Sequence, residues 1–222
     1  MDRLSKIETE LGKIFEWHLS AINNAIEPLI LKALWQDIAI RYSGTQRAYH
    51  SLQHIEQLFT QFEQIKRHLN EPHIIALALF YHDVIYEPTR SDNELKSAEY
   101  AVEALRPYLS AAQCQHIYEL IMMTAHHRLA ECSNAQKNFD AAYLLDMDLS
   151  ILGACWLEYE QYAQAVRQEY AHVSNADYRN GRMAVLKGLL AHPTLYLTDY
   201  YSTRLETQAR QNIKRETISL VS

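Results

Sequence analysis

The stretch from Pro72 to Ile85, PHIIALALFYHDVI, is apolar at almost every position until it reaches His82 and Asp83. A proline suits a first helical turn, and a helix without a polar face has to be buried on every side. Other elements must therefore surround it. The chain is well supplied with helix formers: only five glycines and five prolines occur in 222 residues, of which 48% are hydrophobic. That balance favours helices around a sizeable core. Apolar residues recur at helical spacing over 3–20 (Leu4, Ile7, Leu11, Ile14, Phe15) and 26–42 (Leu29, Ile30, Ala33, Leu34, Ile38). Further helices are expected over 48–68, from Ser91 or Asp92 to about Arg106, and at about 110–127, 140–152, 154–173, 176–191 and 202–217. If Ser91 is the cap, Glu94 is placed to complete a capping box. With no linker, repeat or low-complexity stretch, residues 1–222 read as a single all-α domain, a bundle of eight to ten helices.

The formal charge is -6, and no run of lysine or arginine is long enough to track a phosphate backbone, so nucleic acid is not an expected partner. No apolar stretch approaches the length of a membrane span. The N-terminal MDRLSKIETELGKIF alternates charges where a signal peptide would be apolar. A soluble cytoplasmic protein with no membrane partner is expected. Cys114, Cys132 and Cys155 are odd in number and form no CxxC pair, which points to reduced structural thiols. The apolar N-terminal helix can pack on its own domain or on a second copy, so a homo-oligomer stays open.

Burying Asp83 in such a setting is costly unless something compensates its charge. Two other segments raise the same question. In YHSLQHIEQL, His50 and His54 are four residues apart and are expected on one helix face, and in LLDMDLSILG, Asp146 and Asp148 interrupt an apolar helix. Imidazole nitrogen and carboxylate oxygen are the ligands of divalent transition metals, and a cation would offset the burial. The plainer alternative is a buried hydrogen-bonded network without metal.

The segments RAYHSLQHI, FYHDVIYEPTRSDNELKSAE, TAHH, LLDMDLSILG and YRNGR together resemble a family of bacterial proteins described as predicted HD-superfamily metal-dependent phosphohydrolases, over Ile26 to about Thr198. The resemblance implies an HD-type helical domain with its metal site between the helices carrying 48–68, 72–85 and 140–152. It implies His54, His82, Asp83 and Asp148 as ligands, with Asp146 the second choice. The DLS after the late aspartate resembles an element of cyclic-nucleotide phosphodiesterases, more distant relatives, and by that likeness His50 protonates the leaving group. Glu94 could orient or deprotonate the attacking water and Asn93 position substrate, against a purely capping role. His127, and after it His126, could complete a second metal site bridged by Asp83 or bond to a ligand carboxylate. Arg47, Arg167, Arg179 and Arg182 are candidates for substrate phosphate, or else solvated charges.

The expected activity is hydrolysis of a phosphomonoester or phosphodiester, of a nucleotide or related metabolite, with one or two divalent ions (Mn, Fe, Co, Ni, Zn or Mg). A di-iron oxygenase of the same fold acting on a small organic substrate is the second expectation, and a non-catalytic nucleotide- or protein-binding module the third. The remaining histidines, His18, His68, His73, His116, His172 and His192, are expected at the surface or satisfied in the core.

Overall fold

The computed structural model describes residues 3–129 and 134–221, so Cys132 lies outside the described residues. Among them are ten α-helices and no strand, an all-α architecture. None of these helices is long and apolar enough to cross a membrane. The chain gathers into two compact units, Met1–Leu144 and Leu145–Ser222.

The first unit contains α1 (Arg3–Ile22), α2 (Pro28–Tyr42), α3 (Leu52–Ile65), α4 (Pro72–Tyr81), α5 (Asn93–Leu105), α6 (Ala111–Thr124) and most of α7 (Ala135–Asp148). As its composition requires, α4 is central: every residue from Ile74 to Tyr81 is buried, and α1, α3, α5 and α6 pack around it. Phe80 anchors an aromatic cluster, with ring centroids 4.4 Å from Phe59, 5.3 Å from Phe15 and 5.7 Å from Trp35. Helices α1 and α2 come close at Gly12, where a Cβ would lie 2.6 Å from Trp35 Nε1.

The N-terminus of α4 is capped from a distance. Its N-cap residue Glu71 makes no side-chain cap bond. Instead the buried Asp140 of α7 accepts hydrogen bonds from the backbone N–H of Asn70 (2.9 Å) and of Glu71 (2.7 Å), and from Asn70 Nδ2 (2.9 Å). A carboxylate there satisfies orphan donors and complements the positive end of the helix dipole.

Several helix ends differ from the sequence expectations. Helix α3 begins at Leu52 rather than 48, because residues 47–51 form a separate turn in which Ser51 is extended (φ -121°, ψ -180°) and donates its N–H to Tyr49 O at 2.7 Å. Helix α4 ends at Tyr81, with His82 still in helical conformation as its C-cap. The capping box of Ser91 and Glu94 does not form: Asp92 is the N-cap of α5, and its carboxylate is held by Arg90 at 2.8 and 2.9 Å. A capping box does form at α6, between Ser110 and Gln113. Finally, α7 starts at Ala135 and passes at Leu149 into a 3-10 turn ending at Gly153.

The second unit contains that turn, α8 (Trp156–Glu169), α9 (Asn175–Ala191) and α10 (Asp199–Val221). The turn packs closely on α10, since a Cβ on Gly153 would lie 2.5 Å from Leu205 Cβ. Helices α9 and α10 are joined by the ion pair of Arg182 and Glu216, at 2.8 and 3.0 Å with both side chains 8% exposed, and Tyr159 of α8 donates to the same carboxylate. Burial of a pair costs free energy that this bidentate geometry and the extra hydrogen bond offset.

Candidate metal centre

His54 lies in the first turn of α3, a turn that also buries Leu52 and Ile55. His82 follows α4, and both imidazoles are 2% exposed. Their Nε2 atoms face each other at 3.3 Å. The other nitrogen of His82, Nδ1, is 2.8 Å from the carbonyl oxygen of Leu79. A carbonyl only accepts, so Nδ1 carries a proton, and in the neutral form of the ring Nε2 is the atom with the lone pair.

Asp83 completes a triangle. Its Oδ2 is 3.1 Å from His82 Nε2 and 4.0 Å from His54 Nε2. Two ligand atoms each about 2.1 Å from one ion, at tetrahedral or octahedral angles, lie roughly 3.0–3.4 Å apart. Two of the three separations match and the third is wider. The buried pair His54 and His82, with Asp83 beside it, could hold a divalent metal ion.

His50 reaches this triangle by a route other than the expected helix face. It belongs to the 47–51 turn, its ring stacks on Tyr86 with centroids 4.1 Å apart and planes at 29°, and its Nε2 is 4.0 Å from Asp83 Oδ2. The two histidines therefore do not share one helical turn, yet both face the same carboxylate.

Beneath these groups lies a supporting layer, in which Tyr42 and Ser97 had no signal in the sequence, while Arg47 and Asn93, expected to face substrate, are bonded to main chain. Tyr42 OH accepts the backbone N–H of Asp83 at 3.2 Å. Arg47 is buried, and its guanidinium donates to the carbonyls of His50 (2.9 Å), Asp83 (2.7 Å) and Val84 (2.9 Å). Asn93 pairs both ends of its amide with the main chain of Glu87, at 3.0 Å each. Ser97 Oγ bonds the N–H and C=O of Ile85, at 3.1 Å each. Asn93 and Ser97 thus clasp the loop after Asp83 onto α5. Glu94 is half-buried in the first turn of α5, where a carboxylate complements the helix dipole.

The other candidates have varied surroundings. His126 and His127 lie in the turn after α6; His126 is exposed, and His127 has the left-handed φ of 49°. In the second unit, Asp148 is the half-buried last residue of α7. Asp146 is fully buried and accepts from Leu197 N (2.7 Å), Thr198 N (2.8 Å) and Thr198 Oγ1 (2.6 Å), which anchors the start of α10. Burial raises its pKa, against the opposing pull of these hydrogen bonds. Arg167 ties the end of α8 to the start of α9 through Tyr170 O (2.5 Å), Val173 O (3.1 Å) and Asn175 Oδ1 (2.8 Å). Arg182 is taken up by Glu216 as described, while Arg179 is exposed on α9.

Two remaining histidines are partnered core residues. His18 is 1% exposed with Nδ1 3.0 Å from His73 Nδ1, and burial, then the charges of His73 and Lys66, push its pKa down to about 3. His116 is buried with Nδ1 3.0 Å from Glu71, and burial lowers its pKa.

No protein-family model matches the chain, and no curated protein sequence or solved structure matches it either.

Proposed function

We propose that the chain is a metal-dependent phosphohydrolase that cleaves a small phosphomonoester or phosphodiester, of nucleotide-like or related metabolite character. One observation carries this proposal: the Nε2 atoms of two buried imidazoles face each other at 3.3 Å with a carboxylate oxygen 3.1 Å from one of them. Two imidazole nitrogens and a carboxylate gather at the edge of an apolar core, where a cation would bind them together. His54, His82 and Asp83 would hold one divalent ion. Such an ion, when bound, supplies charge neutralisation for phosphoryl oxygens and a water made more acidic than bulk.

The chain's own groups supply the rest. His50, stacked on Tyr86 and 4.0 Å from the Asp83 carboxylate, would give a proton to the departing alkoxide. Glu94 is the candidate to orient the attacking water. A cytoplasmic location and a small-molecule partner accord with this activity.

The test is a screen of the protein reconstituted with Mn, Fe, Co, Ni, Zn or Mg against nucleotides and simple phosphoesters, with Asp83→Ala beside it. Metal-dependent cleavage that Asp83→Ala abolishes is the expected result. Cleavage that survives the substitution would overturn the assignment. Iron-dependent oxygen uptake without phosphate release would turn it to an oxidative enzyme.

A further inference from the structure

Arg47 is buried, yet its guanidinium donates to main-chain carbonyls rather than to a carboxylate. Burying a guanidinium is expensive unless its donors are used, and the carbonyls it serves belong to two segments far apart in sequence. One Nη1 donates both to His50 O (2.9 Å) and to Asp83 O (2.7 Å), and Nη2 donates to Val84 O (2.9 Å). The cation also sits 4.9 Å from the ring centroid of Tyr42 and 5.6 Å from that of Tyr86. Tyr42 accepts the N–H of Asp83, and Tyr86 stacks on His50. Every group that touches Arg47 in this way therefore belongs to His50, to Asp83 and its neighbour, or to a ring holding one of them.

We propose that Arg47 is the positioning residue of this site, its guanidinium bridging the main chain of the His50 turn to that of the Asp83 turn and so setting the imidazole of His50 against the Asp83 carboxylate. The bridge needs a rigid planar fork. A lysine keeps the charge but offers a single ammonium on a flexible stem, which cannot hold carbonyls of both turns in one plane. The role accounts for two features at once: Tyr49 and His50 stay out of α3 because their carbonyls are committed to the Ser51 N–H and to Arg47, and His50 reaches Asp83 from a loop. It also gives Arg47 an occupation different from contact with substrate phosphate.

The test uses the full chain carrying Arg47→Lys or Arg47→Met, with Tyr86→Leu and Arg182→Lys for comparison. The first readout needs no metal. In the wild type the stacked Tyr86 ring shields the ring protons of His50, so their NMR resonances lie upfield. Both Arg47 variants should move them downfield towards their position in Tyr86→Leu, whereas Arg182→Lys, which alters a buried arginine of the second unit, should leave them in place. The second readout rests on the proposed metal site: Co2+ titration followed by its visible bands should show affinity about 10–100-fold weaker in Arg47→Lys, the loss typical when groups that orient ligands are removed. His50 resonances that stay at wild-type positions in a folded Arg47 variant overturn the inference. So does loss of fold in both variants, since Arg47 would then be a general core staple. A wild type that takes up no Co2+ sinks the metal assignment alone, and the His50 resonances still decide the role of Arg47.

Discussion

His82 owes its proposed ligand character to a carbonyl one turn back on α4. With Nδ1–H fixed on Leu79 O at 2.8 Å, the ring has one orientation and one available tautomer. His82→Gln should therefore lower divalent-metal affinity by at least about 100-fold while far-UV circular dichroism stays unchanged; calorimetric titration with Mn2+ checks both the loss and, against the wild type, the existence of the site. A different histidine governs acid stability. His18 has its folded pKa pushed down to about 3, against 6.5 unfolded, so between those values the unfolded chain binds the extra proton. The stability from keeping His18 neutral is complete above pH 6.5 and lost as pH falls towards 3, with a slope of up to about 1.4 kcal/mol per pH unit for one proton. Urea titrations of His18→Leu from pH 7 to 4 should show a shallower decline than the wild type. His82 and Asp83 were legible in the sequence because charge in an apolar run is conspicuous. Tyr42 and Tyr86 were not, nor was the part that Arg47, expected on substrate phosphate, plays instead, because what they bind is main chain or a ring face, and neither leaves a spacing in the sequence.

The helices themselves were largely legible, since each apolar stripe had the 3.6-residue period and loops fell where polar residues cluster. Their ends were less so. The start of α3 depends on the His50 carbonyl, held by Arg47 from outside the helix, and the start of α4 on Asp140, which is 69 residues beyond Glu71 in the chain. Distant capping of this kind has no local motif, whereas Ser110 and Gln113 on α6 had one in the pattern S-x-x-Q. Asp140→Ala should leave three donors without their acceptor, costing roughly 2–3 kcal/mol in urea unfolding, more than a single local cap does. In the second unit, Gly153→Ala should cost about 1–3 kcal/mol, because a Cβ there meets Leu205 Cβ at 2.5 Å and the Leu205 carbonyl at 3.0 Å. Thermal unfolding monitored at 222 nm would measure it.

On the scale of the whole chain, ligand binding and folding are linked. If the proposed ion binds only the folded state, a hundredfold excess over its Kd adds about 2.7 kcal/mol of stability. Differential scanning calorimetry should then show a Tm several degrees higher with metal than after chelation, and no shift in Asp83→Ala. The all-α class followed from composition alone, while the gathering of the chain into two compact units, 1–144 and 145–222, has no trace in the sequence, because their border falls inside the continuous α7. Helix α4 carries a last consequence, for biosynthesis. It presents no face to water, so until α1, α3, α5 and α6 are all available to enclose it, a chain emerging from the ribosome displays IIALALF to solvent. Nascent chains halted before α6 should be bound by chaperones that capture apolar peptides, and released once synthesis passes residue 124 and clears the exit tunnel.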